Sequence, residues 1–400
     1  PHRPEADPDQ CCETETGNDP LSGNPFFYKE SYYVSRSPLR MAVVGLGHIC
    51  QMAVLPAFSH AASAAKLTAL VSDDPVKRRL LAARYGVTHT YAYKNFDACL
   101  HSGDIDAVYI ALPNSLHCEY ALRAAKAGIH ILCEKPMAVT ASECRQMQRA
   151  AERYRVKLMI AYRLHFEPCN LDTIQLVQSG RLGEPRLFHS VFTQQVRAGD
   201  IRLRERLGGG PLYDIGVYCI NAARYLFRDE PTEVTALTGQ GPDHRFQSVE
   251  ESAGAIMRFS RDRLATFTCS FGATDAAMYE IIGTKGKVRV EPAYEYVGAL
   301  KASVTIGGRT RVRTFKPGDQ FAPQLIYFSR CVQEDRQPEP NGTEGLLDVQ
   351  IIEALRRSGQ SGRSIALRLP AKRVRPDTSL RMHRPPVSKP QGVHTESPTL

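Results

Sequence analysis

Between Arg40 and Tyr162, short unbroken apolar runs alternate with longer stretches in which apolar residues recur every three or four positions. MAVVG (41–45) precedes ICQMAVLPAFSHAA (49–62), and KLTALVS (66–72) precedes PVKRRLLAARYG (75–86). DAVYIAL (106–112) precedes SLHCEYALRAAKAG (115–128), IHILC (129–133) precedes TASECRQMQRAAERY (140–154), and VKLMIAY (156–162) closes the series. Continuous apolar runs of this length are strands buried on both faces, and the intervening period is that of amphipathic helices. The alternation predicts an α/β unit built on a doubly wound parallel sheet.

From about Phe188 the period changes to two. RLFHSVFTQQV (186–196), EVTALTG (233–239), SAGAIMRFS (252–260), RLATFTCSF (263–271), MYEIIGT (278–284), KVRVEP (287–292), ASVTIGG (302–308) and TRVRTF (310–315) each alternate apolar with polar residues. Such strands predict an open, mostly antiparallel β-sheet, apolar on one face. Helical patterns at 212–227, 320–334 and 344–358 are available to cover that face, giving an α+β second domain.

The ends lack either pattern. Residues 1–39 carry seven acidic and three basic groups among Pro, Ser and Gly, and 371–400 form a basic, Pro-rich tail. Both are too poor in apolar residues to join a core, and both are expected to be mobile arms. The formal charge of +9 forms no dense basic stripe with interleaved aromatics, which argues against a nucleic-acid partner. No apolar run is long enough for a membrane span. Eleven cysteines without a C-x-x-C pair give neither a zinc site nor a disulfide framework, so buried free thiols in a reducing compartment are expected, and no metal.

Chemistry enters at the strand ends. The first strand runs into Gly45-Leu46-Gly47-His48-Ile49, with Cys50 where a third small residue would pack the helix against the strand. A tight turn needs Gly45, close approach of a pyrophosphate needs Gly47, and the following helix offers its first amides to phosphates. The second strand ends at Ser72, where Ser72 with Lys77 or Arg78 suits a 2'-phosphate and hence NADP. Were the strand one residue longer, Asp73 would be a ribose acid and favour NAD. We take NADP as the expected cofactor.

Beyond the next strand ends lie ALPNSLH (111–117) and CEKP (133–136). Leu112, Pro113, Asn114 and His117 belong to an exit able to line the nicotinamide ribose, and Glu134-Lys135 place an acid and a base where small turn residues normally stand. A lysine there suits the oxygen of a substrate hydroxyl as it loses hydride. Further on, GGGPLYDIGVYCINAARY (208–225) puts Asp214 and Tyr218 four residues apart on one helical face. Tyr218 is the candidate acid–base group and Asp214 its orienting partner or a second hydroxyl contact. A core tyrosine beside a solvent-facing acid is the plainer alternative.

Taken in order, GLGHI, ALPNSLH, EKPMA, GRLGEP and GGGPLYDIGVY resemble the Gfo/Idh/MocA oxidoreductases, within them most closely the glucose-fructose oxidoreductase branch, from about Arg40 to Leu369. The resemblance implies an NADP-binding Rossmann domain (40–162), a substrate-binding and oligomerisation domain (163–370), and hydride transfer between the nicotinamide and C1 of an aldose or related polyol. It places Lys135 on the catalytic lysine, Asp214 on the motif aspartate, and Tyr218 where most members carry histidine. Asn221 stands where many have aspartate, and His165 where many have arginine, which makes His165 a substrate contact. Arg163, in the same strand exit, is expected to touch cofactor or sugar, with a structural ion pair as the equal alternative. A homodimer or homotetramer through the sheet is implied. Residues 1–39 show no twin-arginine export signal, so a cytoplasmic location is expected, or a periplasmic one with a signal upstream. A shuttle that never releases NADP and a non-enzymatic NADP-sensing regulator are the alternatives.

Overall fold

The computed structural model describes residues 37–400. The expected first arm lies almost wholly outside them.

Six strands form the first sheet: β1 (Leu39–Val44), β2 (Ala65–Val71), β3 (His89–Tyr91), β4 (Ala107–Ile110), β5 (His130–Cys133) and β6 (Leu158–Ile160). Their order is β3-β2-β1-β4-β5-β6, every pairing parallel. That order reverses direction beside β1, and ligands bind at such a crevice beyond the carboxyl ends of the strands. β4 and β6 are buried at every position because helices cover both faces. The helices are α1 (Leu55–His60), α2 (Pro75–Tyr85), α3 (Phe96–Leu100), α4 (His117–Lys126) and α5 (Ala141–Arg153). The three-residue edge strand β3 was not foreseen, being too short to show a period.

A short helix, α6 (Pro168–Gln178), leads into the second sheet. Its strands are β7 (Pro185–Thr193), β8 (Glu233–Gly239), β9 (Ser252–Arg258), β10 (Leu264–Ser270), β11 (Ala276–Gly283), β12 (Gly286–Val290), β13 (Leu300–Ile306), β14 (Arg309–Phe315) and the two-residue β15 (Ile365–Ala366). They lie in the order β14-β13-β12-β11-β7-β10-β9-β8-β15. All pairings are antiparallel except β7 with β10 at the centre. Alternation decides the faces. Ala265 opposite Met257 is buried, whereas Thr266 opposite Ile256 faces outward. The covering helices are α7 (Val217–Phe227), α8 (Ala322–Gln333) and α9 (Gly342–Ser361). α9 packs on β8 and also against α5, coupling the two sheets.

Arg224 on α7 is fully buried and binds Glu230, Glu344 and Asp348. Lys372 and Arg375 add to this network through Glu344 and Glu230. Residues 371–400, expected as a free arm, therefore begin by docking on the second domain. Their polar composition is answered by ion pairs and backbone hydrogen bonds, and Leu380 and Val393 add buried apolar anchors. The nine described cysteines are buried free thiols. Among the described residues, no helix is long and apolar enough to cross a membrane.

Candidate active site

β1 delivers the chain to Gly45 at φ +96°, where a Cβ would stand 2.4 Å from the Ala111 carbonyl oxygen. Only glycine lets the ends of β1 and β4 close up there. At Gly47 an added methyl would meet nothing within 4 Å, so the turn presents an open cradle. Beside it the His48 Nδ1 is buried without a partner. An open backbone turn followed by a helix, with an unpaired imidazole nitrogen next to it, fits the pyrophosphate of a dinucleotide.

The cradle belongs to a cavity of about 520 Å³ that extends over both sheets. Its lining includes Gly45, Leu46, Gly47, His48, Ile49, Ser72, Lys77, Leu112, Pro113, Asn114, Glu134, Lys135, Arg163, Asp214 and Tyr218. β2 ends at Val71, so Ser72 is the first residue beyond the strand and is nearly buried. Asp73, the alternative ribose acid, turns away: its Oδ1 accepts the Tyr93 backbone N–H at 2.7 Å. Asp74 caps α2 by accepting the N–H groups of Val76 and Lys77. The corner of the cavity beyond β2 thus holds a hydroxyl and an ammonium, while the carboxylates of this turn are engaged elsewhere.

Glu134 accepts a hydrogen bond from the Tyr109 hydroxyl at 2.7 Å and another from the Lys135 backbone N–H at 3.2 Å. Burial raises its pKa, against the pull of Lys135. Its carboxylate anchors the turn and balances the base beside it. Lys135 donates from Nζ to the Asp214 carbonyl oxygen at 2.8 Å and to Oδ1 at 3.1 Å. Arg202 donates from Nε to Oδ2 of the same carboxylate at 2.7 Å. Burial alone would raise the Asp214 pKa, but Arg202 and Lys135 outweigh it and hold the carboxyl well below its usual range. Burial would likewise lower Lys135, and Asp214, Tyr218 and Glu134 outweigh that, so the ammonium is held charged.

Asp214 and Tyr218 do share a face, although the helix opens with a π turn over Leu212–Gly216 before α7. Lys135 Nζ stands 4.7 Å from the Tyr218 ring centroid, and the Arg163 guanidinium covers the same ring at 5.1 Å. Arg163 is fixed by hydrogen bonds to Gln320 and to the Tyr294 carbonyl. Phe192 and Tyr294 pack on the remaining edges of the tyrosine. One phenol, one ammonium and one carboxylate therefore face a single cavity.

His117 and His165 stand apart from it. His117 is fully buried, its ring nitrogens each 2.9 Å from a carbonyl oxygen, of Pro136 and of Leu112. It ties the loop after β4 to the turn that carries Lys135, a positioning role. His165 is fully buried behind the wall, with Nε2 2.8 Å from Asn221 Oδ1. Asn221 donates in turn to Glu344 and Asp348, joining His165 to the buried charge network. The 3-10 turn Arg163–His165 sends the arginine into the cavity and the histidine to the interior.

Several lining residues carried no advance signal. Arg202 lies in the loop between β7 and α7, twelve residues before its partner Asp214. Asp275, Glu295 and Tyr296 come from loops of the second sheet, and Ser397, Pro398 and Thr399 from the C-terminal segment.

Comparisons with known proteins bear on the family and the fold. A family model described as the oxidoreductase family, NAD-binding Rossmann fold matches residues 39–162, and one described as the GFO/IDH/MocA C-terminal domain matches residues 172–289. A D-xylose 1-dehydrogenase [NADP(+)] from Haloarcula marismortui is 32% identical over 83% of this chain and 94% of its own length. Among solved structures, the aldose-aldose oxidoreductase from Caulobacter crescentus complexed with glycerol is 36% identical. It superposes with a TM-score of 0.79 over 82% of this chain and all of the other. A 3-ketoreductase from Actinomadura kijaniata, in complex with NADP and TDP-benzene, is 26% identical at a TM-score of 0.74, over 80% of this chain and 98% of its own.

Proposed function

The chain belongs to the Gfo/Idh/MocA oxidoreductase family, and on that footing we propose that it is an NADP-dependent oxidoreductase acting at C1 of an aldose or a closely related polyol. The observation that carries the proposal is the meeting of Lys135, Asp214 and Tyr218 in the cavity that opens onto the Gly45–Ile49 turn. The NADP(+) named for the xylose dehydrogenase and the NADP bound to the ketoreductase support the cofactor, as does the Ser72–Lys77 corner.

NADP, when bound, supplies the hydride acceptor or donor. The protein's residues bind, orient and handle the proton. The Gly45–Ile49 turn receives the pyrophosphate, Ser72 and Lys77 the 2'-phosphate, and Leu112, Pro113 and Asn114 the nicotinamide ribose. Asn114 is held by donating from Nδ2 to the Gly208 carbonyl at 2.8 Å. Lys135 holds the substrate oxygen and stabilises negative charge on it as the carbon is oxidised. Tyr218 takes the hydroxyl proton, with the Lys135 ammonium and the Arg163 guanidinium packed over its ring. Asp214 keeps Lys135 aimed.

The outer face of the second sheet supports a homo-oligomer. Val312, Ser303, Arg289, Glu280, His189, Thr266, Ile256 and Thr235 follow one another across it by strand register. Leu187, Leu237, Ile256 and Val312 are exposed. Such an apolar-bearing, register-matched face suits a second copy, and light scattering of the purified protein measures the assembly. Buried free thiols support a reducing, cytoplasmic setting.

The deciding experiment follows the near-ultraviolet absorbance of reduced nicotinamide as the protein with NADP is offered a panel of aldoses. A rise with one sugar is expected. NADP binding without a rise for any sugar would overturn the aldose assignment in favour of another substrate or of the sensor.

A further inference from the structure

Gln51 is fully buried on the helix that follows the glycine turn, a position where an apolar residue would ordinarily pack. Its amide donates to the Leu46 carbonyl at 2.9 Å and to the Val393 carbonyl at 2.9 Å, and its Oε1 accepts the Val393 N–H at 2.8 Å. A buried amide is tolerable when its bonding capacity is met, and here it is met by the cofactor turn and the C-terminal segment together. Val393 is itself buried.

From that clamp the segment runs past the 2'-phosphate corner, where His394 Nδ1 lies 2.8 Å from Oδ2 of Asp74, the cap of α2. It then crosses to the second domain. Thr399 forms an antiparallel bridge with Val196, the Arg197 N–H donates to the Pro398 carbonyl at 2.9 Å, and the Leu400 N–H donates to the Gln195 carbonyl at 3.0 Å. At and just before this second anchorage, Ser397, Pro398 and Thr399 line the same cavity as Gly47 and Lys135.

We propose that the C-terminal segment from Gln391 to Leu400 is a strap across the nucleotide cleft, and that NADP leaves only when the strap lifts. The inference rests on the NADP reading and extends it to cofactor exchange: the strap, and not the cavity lining alone, sets how fast the dinucleotide comes and goes. Hydrogen bonds and the single buried apolar side chain of Val393 hold the segment down, so it opens locally without unfolding the domains. The polar composition that reads as a mobile arm is the composition of a latch.

The test is the release rate of bound NADPH, followed by the loss of its fluorescence when excess NADP is added. Deletion of residues 391–400 is expected to speed release about tenfold or more and to weaken equilibrium binding. Gln51→Leu, which keeps the tail but removes the clamp, is expected to shift release the same way. In the unaltered protein, hydrogen exchange at residues 393–400 is expected to slow when NADPH binds. Unchanged release in the deletion and unchanged exchange in the full chain would overturn the strap while leaving the NADP reading intact, and so would tighter binding on deletion, the mark of a tail that blocks the cleft. If the full chain binds neither NADPH nor NADH, the NADP reading and the strap fall together.

Discussion

The Lys135 ammonium lies over the face of the Tyr218 ring, 4.7 Å from its centroid. Hydrogen bonds to Asp214 aim its nitrogen, and the Arg163 guanidinium lies 5.1 Å from the same centroid. A cation on an aromatic face is stabilised by the ring. Base and oxygen-holder are thus one device.

Lys135→Met keeps the length of the stem and removes the charge. Loss of one preorganised donor to a developing oxyanion lowers kcat by about 10²–10³-fold. Steady-state kinetics with the identified sugar, alongside NADPH titration showing affinity within a few-fold of wild type, checks it.

Tyr218→Phe preserves every ring contact and deletes the hydroxyl. Turnover falls by about 10²–10⁴-fold, the range for a positioned acid–base group, with little change in melting temperature. Near-normal rates would remove Tyr218 from the proton step.

Asp214→Asn leaves two cations without their shared carboxylate. Breaking a buried pair from one side costs about 3–5 kcal/mol, measurable by urea unfolding. The sign with pH comes from the depressed carboxyl. Its contribution is full above the unfolded value of about 4 and is lost only as pH falls through the lower folded value. Wild-type stability from this group is therefore flat from about pH 5 upward, and the variant loses part of the acid limb.

Lys77→Ala and Ser72→Asp act on the cofactor's outer end. A charge-assisted hydrogen bond to phosphate is worth about 1.5–3 kcal/mol, so Lys77→Ala weakens NADPH about 10–100-fold and leaves NADH nearly unaffected. Ser72→Asp reverses the preference by repelling the phosphate and accepting from a ribose hydroxyl. Paired titrations with both dinucleotides read the ratio.

Gly45→Ala forces a Cβ to within 2.4 Å of the Ala111 oxygen at a backbone angle that disfavours alanine. A destabilisation of about 1–3 kcal/mol is expected, with nucleotide binding weakened more than the loss of fold explains. Thermal melts with and without NADP separate the two.

What the sequence made legible was local. Val43-Val44-Gly45 announces a buried strand and its exit within three residues, and Glu134-Lys135 stands out because charge succeeds an apolar run. Long-range polar pairing left no such trace: nothing in the IRLR of the loop marks Arg202 as the partner of Asp214, and nothing near Gln51 points to Val393. His117 and His165 were visible as residue types in the right neighbourhoods. The facing carbonyls and Asn221 draw them inward, and periodicity does not report which way a turn sends its side chains.

The parallel contact of β7 with β10 bears on how the molecule assembles. Phe188 on β7 is flanked by Ala265 and Ile281, and both neighbours lie far downstream in the chain. β7 cannot zip into a hairpin with β8, the next strand along the chain, whereas β8, β9 and β10 pair in succession. The centre of the sheet closes only after its flanks exist, since loop closure must precede the pairing that rewards it. Until then a newly made β7 offers two unpaired edges, and the interval before β10 and β11 arrive is when this chain is most exposed to mispairing with its neighbours.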